Sequence, residues 1–119
     1  MSFAANAYAR TAQSVLSPRE AEAAVLIKAA RQLESVRDNW NDAGGSLNKA
    51  LNFNQKVWTL LATGATAPEN PLPSEVKDNI AGLSVFVFRR IFDTLVEPKP
   101  ENLTALININ QQVAAGLRS

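Results

Sequence analysis

The sequence predicts an all-α protein, an antiparallel four-helix bundle preceded by a short N-terminal helical extension. Apolar residues recur every three or four positions through four long segments, as on one face of a helix. Clusters of Pro and Gly separate these segments, and the connections are short, which favours antiparallel neighbours. The β-branched and aromatic cluster at 85–88 lies inside a longer helical pattern and predicts no strand. We expect residues 1–119 to form a single domain, with the extension at 1–16 and the bundle at 17–117.

The first predicted helix covers about residues 18–40. Ser17 is a suitable N-cap, Pro18 suits the first helical position, and Glu20 completes a capping box. The segment 41–45 (NDAGG) ends this helix. Before it, alanines with Tyr8 and Val15 follow helical spacing, which predicts the short extension.

The other three helices are predicted at about 46–63, 74–96 and 101–116. Ser46 is expected to cap the second helix and Gly64 to end it. Three prolines within 68–73 predict a loop, and Pro98 ends the third helix. We expect the two tryptophans, Trp40 and Trp58, to be largely buried, because each lies on the apolar arc of its helix.

Composition limits the chemistry that is available to the chain. Hydrophobic residues make up 46% and charged residues 19%, which is typical of a globular protein that builds a core. The chain has no Cys and no His, which removes the usual nucleophiles, general bases and transition-metal ligands. No pair of carboxylates stands out as an acid–base pair. We therefore expect no enzymatic activity, no cofactor and no metal.

Charge and hydropathy bear on partners and location. The formal net charge is +1, and the sequence has no stripe of Lys and Arg that would indicate nucleic-acid binding. The N-terminus does not resemble a secretory signal. The longest apolar run, 85–88, is too short to span a bilayer. The expected location is the cytoplasm, without contact to a membrane.

The third helix carries more apolar surface than one core face requires. One stripe consists of Val76, Ile80, Leu83, Val87 and Ile91; a second, about 140° around the axis, consists of Ala81, Val85, Phe88, Phe92 and Val96. The simpler interpretation is a central helix that packs against two neighbours. The alternative is that the second stripe is partly open and binds a partner helix.

Three polar residues lie on apolar arcs: Glu22, Asn54 and Asn110. A buried amide without a hydrogen bond costs about 1–3 kcal/mol, so we expect both asparagines to be buried and hydrogen-bonded, setting helix register. Glu22 lies near the N-terminus of the first helix, where the helix dipole stabilises a carboxylate. We interpret all three as structural polar core residues rather than catalytic ones.

Five segments together resemble the FlaF family of flagellar biosynthesis regulators. They are 7–8 (AY), 17–23 (SPREAEA), 50–59 (ALNFNQKVWT), 70–73 (NPLP) and 106–110 (LININ). They occur in the family's order and extend over nearly the whole chain. The resemblance implies a cytoplasmic protein that binds flagellin in a chaperone-like role and promotes its production and export. It also implies cooperation with a second regulator, FlbT, which acts on flagellin mRNA.

Two classes of function remain open at this point. The first is a binding module for flagellin. The resemblance to the family implies that the terminal segments of flagellin, which are amphipathic helices, are what it would bind. The second is a post-transcriptional regulator that acts through a protein complex or mRNA without stable flagellin binding. The predicted partner-binding residues are the aromatic and apolar residues of the third helix and the N-terminal extension: Phe3, Tyr8, Val85, Phe86, Phe88 and Phe92.

Overall fold

The computed structural model describes residues 17–118, which form four α-helices. The helices are α1 (Pro18–Asp38), α2 (Ser46–Thr66), α3 (Ser74–Val96) and α4 (Pro100–Arg118), with a 3-10 turn at Trp40–Asp42. The described part of the chain contains no strand, so the predicted all-α bundle is confirmed there. The predicted extension at 1–16, with Phe3 and Tyr8, lies outside the described residues.

Helix α1 begins as predicted and ends two residues early. The Glu20 backbone N–H donates to Ser17 Oγ at 3.1 Å, and Pro18 occupies the first turn. At the other end Asn39 leaves helical geometry, and its side-chain amide donates to the Ser35 carbonyl at 2.9 Å. Trp40 therefore falls in the 3-10 turn, where it packs against the core but is less completely buried than Trp58.

Helix α2 begins at residue 46 as predicted, but its N-cap differs and it ends three residues later than predicted. Its N-cap is Gly45, without a side-chain hydrogen bond, and Ser46 is already helical, so the predicted Ser46 cap is wrong. The preceding Gly44 has a φ of +53°, which glycine adopts without strain. The helix also continues through Gly64 to Thr66, because the Asn70 side-chain amide donates to the Gly64 carbonyl at 2.9 Å.

The other two helices agree better with prediction. Helix α3 covers the predicted residues, and α4 extends the prediction by one residue at its start and two at its end. Helices α1 and α4 make the most extensive packing in the bundle and run antiparallel. Arg37 lies near Thr104 (Nη1 to Oγ1, 3.4 Å), and Gln111 Nε2 donates to Glu34 Oε1 at 3.0 Å.

The helices follow one another around the bundle, with α2 packed against both α1 and α3. Helix α3 touches α4 only loosely, so the α3–α4 side is the weakest seam. The largest apolar side chains that are completely buried are Leu26, Leu33, Leu51, Trp58, Leu103, Leu106 and Val87. Each stabilises the fold by roughly 1.5–3 kcal/mol through burial. Among residues 17–118, no helix combines the length and hydropathy needed to cross a membrane.

Candidate partner-binding face on the third helix

Helix α3 packs into the bundle along a single stripe. The buried members recur at spacings of four and three: Ile80, Ser84, Val87, Ile91 and Thr94. Two of them are polar, and each satisfies its hydroxyl on its own helix. Ser84 Oγ donates to the Ala81 carbonyl, and Thr94 Oγ1 donates to the Arg90 carbonyl, both at 2.7 Å. The core side of α3 therefore leaves no polar group of this stripe unpaired.

The second apolar stripe of α3 points to solvent. Val85 is 69% exposed, Phe92 65% and Val96 68%, while Phe88 is half-buried at the edge of the core. Leu95, 47% exposed, extends the same side. Helix α3 does contact two neighbours, α2 and α4, as the simpler interpretation expects. The second stripe is nevertheless partly open, as the alternative expects.

Five apolar side chains thus share one side of α3 within an arc of roughly 100°. We call Val85, Phe88, Phe92, Leu95 and Val96 the α3 face. Single exposed apolar residues are ordinary on protein surfaces, but a contiguous group is typical of an interaction site. The face extends over 12 residues of helix, or about 16 Å, which suits an elongated partner such as a second helix.

Phe86 does not belong to this face. It precedes Phe92 by six residues, which places the two rings about 120° apart around the helix axis. The Arg90 guanidinium lies 5.2 Å from the centre of the Phe86 ring, within cation–π range. Arg90 Nη1 also lies 3.5 Å from Asn102 Oδ1 on α4. Phe86 is 42% exposed and contacts Arg90 on the side of α3 that faces α4. It is therefore separate from the other predicted partner-binding residues of α3.

A hydrogen-bonded network of side chains crosses the core. Asn54 and Asn110 are both completely buried, as is Trp58. Trp58 Nε1 donates to Asn110 Oδ1 at 2.8 Å, and Asn110 Nδ2 donates to Asn54 Oδ1 at 2.6 Å. Asn110 Nδ2 also lies 3.4 Å from the Leu26 carbonyl on α1. Asn110 thereby links α4 to α2 and α1.

The sequence did not show that Trp58 belongs to this network. The available signal was that the Trp58 indole N–H and the Asn54 amide lie on the inner arc of α2 and the Asn110 amide on that of α4. Buried polar groups usually find hydrogen-bond partners. Within residues 17–118, Asn54 Nδ2 is buried without a hydrogen-bond partner. Turning the Asn54 amide over would bring two NH₂ groups together, so its contact with Asn110 determines its orientation. The unpaired donor costs about 1–3 kcal/mol, which the fold tolerates.

Glu22 lies at the edge of the core rather than inside it. It is half-buried and lines a shallow hollow with Arg19 and the loop residues Asn70 and Leu72. Burial raises the pKa of its carboxyl above the ordinary value, and the nearby Arg19 charge opposes this in part. A carboxylate that loses hydration on folding is mildly costly at neutral pH.

We expect Glu22→Gln to stabilise the protein at neutral pH but not at acid pH. The raised pKa means that the folded state binds this proton more tightly than the unfolded state does. The contribution of Glu22 to stability therefore falls as pH rises from about 4.5 through the raised pKa, and Gln lacks this loss. Urea unfolding at pH 7 and below pH 4.5 measures the difference. An equal gain in Glu20→Gln, an exposed position in the same turn, would contradict this explanation.

Comparison with known proteins identifies one family. A family model described as flagellar protein FlaF matches residues 4–117. No curated protein and no solved structure matches the chain. Within residues 17–118, no group of three or more acidic, His or Cys side chains is arranged to hold a metal ion.

Proposed function

Since the chain belongs to the FlaF family of flagellar proteins, we propose that it binds flagellin in a chaperone-like role in the cytoplasm and promotes its production and export. The observation that carries the proposal is the exposed α3 face, with Phe92 at its centre. In this role the protein acts by binding and not as an enzyme. FlbT is a further partner of the same regulatory step.

The α3 face suits an amphipathic helix. Its members lie at positions i, i+3, i+7, i+10 and i+11, the spacing by which one helix packs along another. A flagellin helix lying along α3 would bury its own apolar stripe against Phe92 and Val96. Covering both surfaces would keep unassembled flagellin from associating through the same stripe.

Charge supports a protein partner over RNA. The chain has 12 Lys and Arg against 11 Asp and Glu, so no excess of positive charge is available for phosphates. On α3 itself, Arg90 is engaged with Phe86, and Arg89 lies close in sequence to Asp93. Direct RNA binding would need a clustered basic surface.

A binding experiment separates the two classes of function. The full-length protein is titrated with purified monomeric flagellin by calorimetry, and with flagellin mRNA leader by mobility shift, each with and without purified FlbT. We expect saturable binding to flagellin and none to RNA. Binding to RNA or to FlbT alone, with no heat for flagellin, would favour the post-transcriptional alternative and overturn the proposal.

Phe86→Ala tests which aromatic residues contact the partner. Because Phe86 lies about 120° from Phe92, we expect this change to leave flagellin affinity within about threefold of the wild type. Its stability should change only slightly, through loss of the Arg90 contact, by about 0.5–1 kcal/mol. Calorimetry and urea unfolding measure the two effects. A tenfold loss of flagellin affinity in a folded variant would show that Phe86 does contact the partner.

A further inference from the structure

The α3 face has the residue spacing of a coiled-coil helix. Val85, Phe88, Phe92 and Leu95 follow one another at intervals of three, four and three, which is the a/d repeat by which two helices pack lengthwise. Val85, Phe92 and Leu95 are exposed, so no other described helix covers this repeat. An apolar groove between α3 and α4 lies on the opposite side, because Leu83 in that groove and Phe92 are about 180° apart around the axis of α3. The α3 face is therefore a separate surface that suits a second helix.

Two opposite charges, one turn apart, flank this repeat. Arg89 and Asp93 are both exposed, and both lie within about 60° of Val96 on the same edge of the face. Neither forms an ion pair within the part of the chain that the structure describes. Each charge is therefore open to an opposite charge on a molecule that packs against the face.

A second copy of α3 in antiparallel orientation matches both the apolar repeat and the charges. With the two-fold axis at the height of residue 90, Phe88 lies opposite Phe92 of the second copy, and Val85 lies opposite its Leu95. In this register Arg89 and Asp93 of the second copy differ in height by about 3 Å, which an Arg side chain spans. The symmetry repeats the contact, so two Arg–Asp pairs form. A parallel pairing would instead bring like charges together.

The size of the face indicates how strong such pairing is. Its five side chains expose on the order of 400 Å² in each molecule, about half of the ~800 Å² that each partner buries in a standard interface. Exposed ion pairs orient the helices more than they add affinity. The interface is thus of the weak, reversible class, and we expect a dissociation constant on the order of 10–100 µM.

We propose that the α3 face binds a second copy of this chain in a weak, antiparallel, two-fold symmetric dimer, with Arg89 paired to Asp93 of the other copy. The dimer covers Phe92 and Val96 when no other partner is present. The same side chains cannot pack against flagellin at the same time, so flagellin displaces the second copy. This competition rests on the proposed function, whereas the dimer itself does not.

Sedimentation equilibrium of the full-length protein between about 5 and 500 µM tests the dimer without any partner. We expect monomer at the low end of this range and dimer at the high end. Arg89→Asp and Asp93→Arg each place like charges opposite one another at both contacts, so each variant alone should associate at least tenfold more weakly. An equimolar mixture of the two variants restores opposite charges at both contacts, and we expect it to form a heterodimer about as strongly as the wild type.

Arg31→Asp is the matched control, because Arg31 is exposed on α1 and the change in charge is the same. This variant should associate as the wild type does, and circular dichroism should show that all the variants keep their helices. Monomer throughout the range, or single variants that associate like the wild type, would overturn the dimer. A mixture that remains monomeric would overturn the antiparallel register.

Flagellin added to the dimer tests the competition. In sedimentation velocity at about 100 µM protein, we expect the dimer to be replaced by a complex of one copy with one flagellin. Flagellin bound to an intact dimer would overturn the shared use of the α3 face. A protein that binds flagellin but never dimerises would overturn the dimer alone, whereas a dimer that ignores flagellin would overturn the proposed function alone.

Discussion

Asn110→Ala is expected to reduce the free energy of unfolding by about 3–5 kcal/mol, a large part of the ~5–15 kcal/mol typical of a domain. The change removes the acceptor for Trp58 Nε1 and the donor to Asn54 Oδ1. Each buried group left unpaired costs about 1–3 kcal/mol, and the lost volume of the amide adds a cavity. Urea unfolding followed by Trp fluorescence measures the loss.

Asn108→Ala is the matched control, because Asn108 is exposed on the same helix. That variant should remain within about 0.5 kcal/mol of the wild type. Similar stabilities for the two variants would mean that other groups satisfy Trp58 when Asn110 is absent.

Asn54→Leu shows whether the network stabilises the fold or specifies its register. The change removes the unpaired Asn54 Nδ2 and leaves Asn110 Nδ2 with its longer contact to the Leu26 carbonyl. We therefore expect a smaller loss of stability than in Asn110→Ala, with a change in association state visible by size-exclusion chromatography. A variant as unstable as Asn110→Ala, and still unchanged in association, would assign the network to stability alone.

Phe92→Asp is expected to weaken flagellin binding by about 30-fold or more, which corresponds to the ~2 kcal/mol of an interface hot spot. Phe92 lies at the centre of the α3 face and would be buried on binding, where an unpaired carboxylate is costly. In the free protein Phe92 is 65% exposed, so stability should change by no more than about 0.5 kcal/mol. Calorimetry with purified flagellin and urea unfolding of the free variant measure the two quantities.

Leu60→Asp is the control for this prediction. Leu60 is 74% exposed on α2, outside the α3 face, and the change introduces the same charge in place of an apolar side chain. We expect flagellin affinity to be unchanged in this variant. If both variants bind flagellin as the wild type does, the partner docks elsewhere on the bundle; if both lose affinity, general charge rather than the α3 face is responsible.

The location of the candidate site was only partly predictable. Periodicity identified two apolar stripes on α3, and the helical repeat alone places Phe86 away from Phe92. Phe86 fits neither stripe, and it was included among the predicted partner-binding residues as an aromatic on the polar side of the helix. Which stripe is covered was not calculable, because periodicity records which residues are apolar and not which neighbouring helix reaches them.

Local chemistry in the sequence determined the four helices, since capping, proline geometry and apolar spacing act over a few residues. Ser17 and Pro18 begin α1 as predicted, and the bounds of α3 follow from its flanking prolines. The tertiary structure decided the features that depend on residues far apart in the chain. Asn70 reaches back to Gly64 and lets α2 continue, Trp58 pairs with Asn110, and loose packing against α4 opens a groove beside α3. The exposure and the hydrogen bonds of a side chain depend on the residues around it. Residues that are distant in sequence become its neighbours only when the helices pack together.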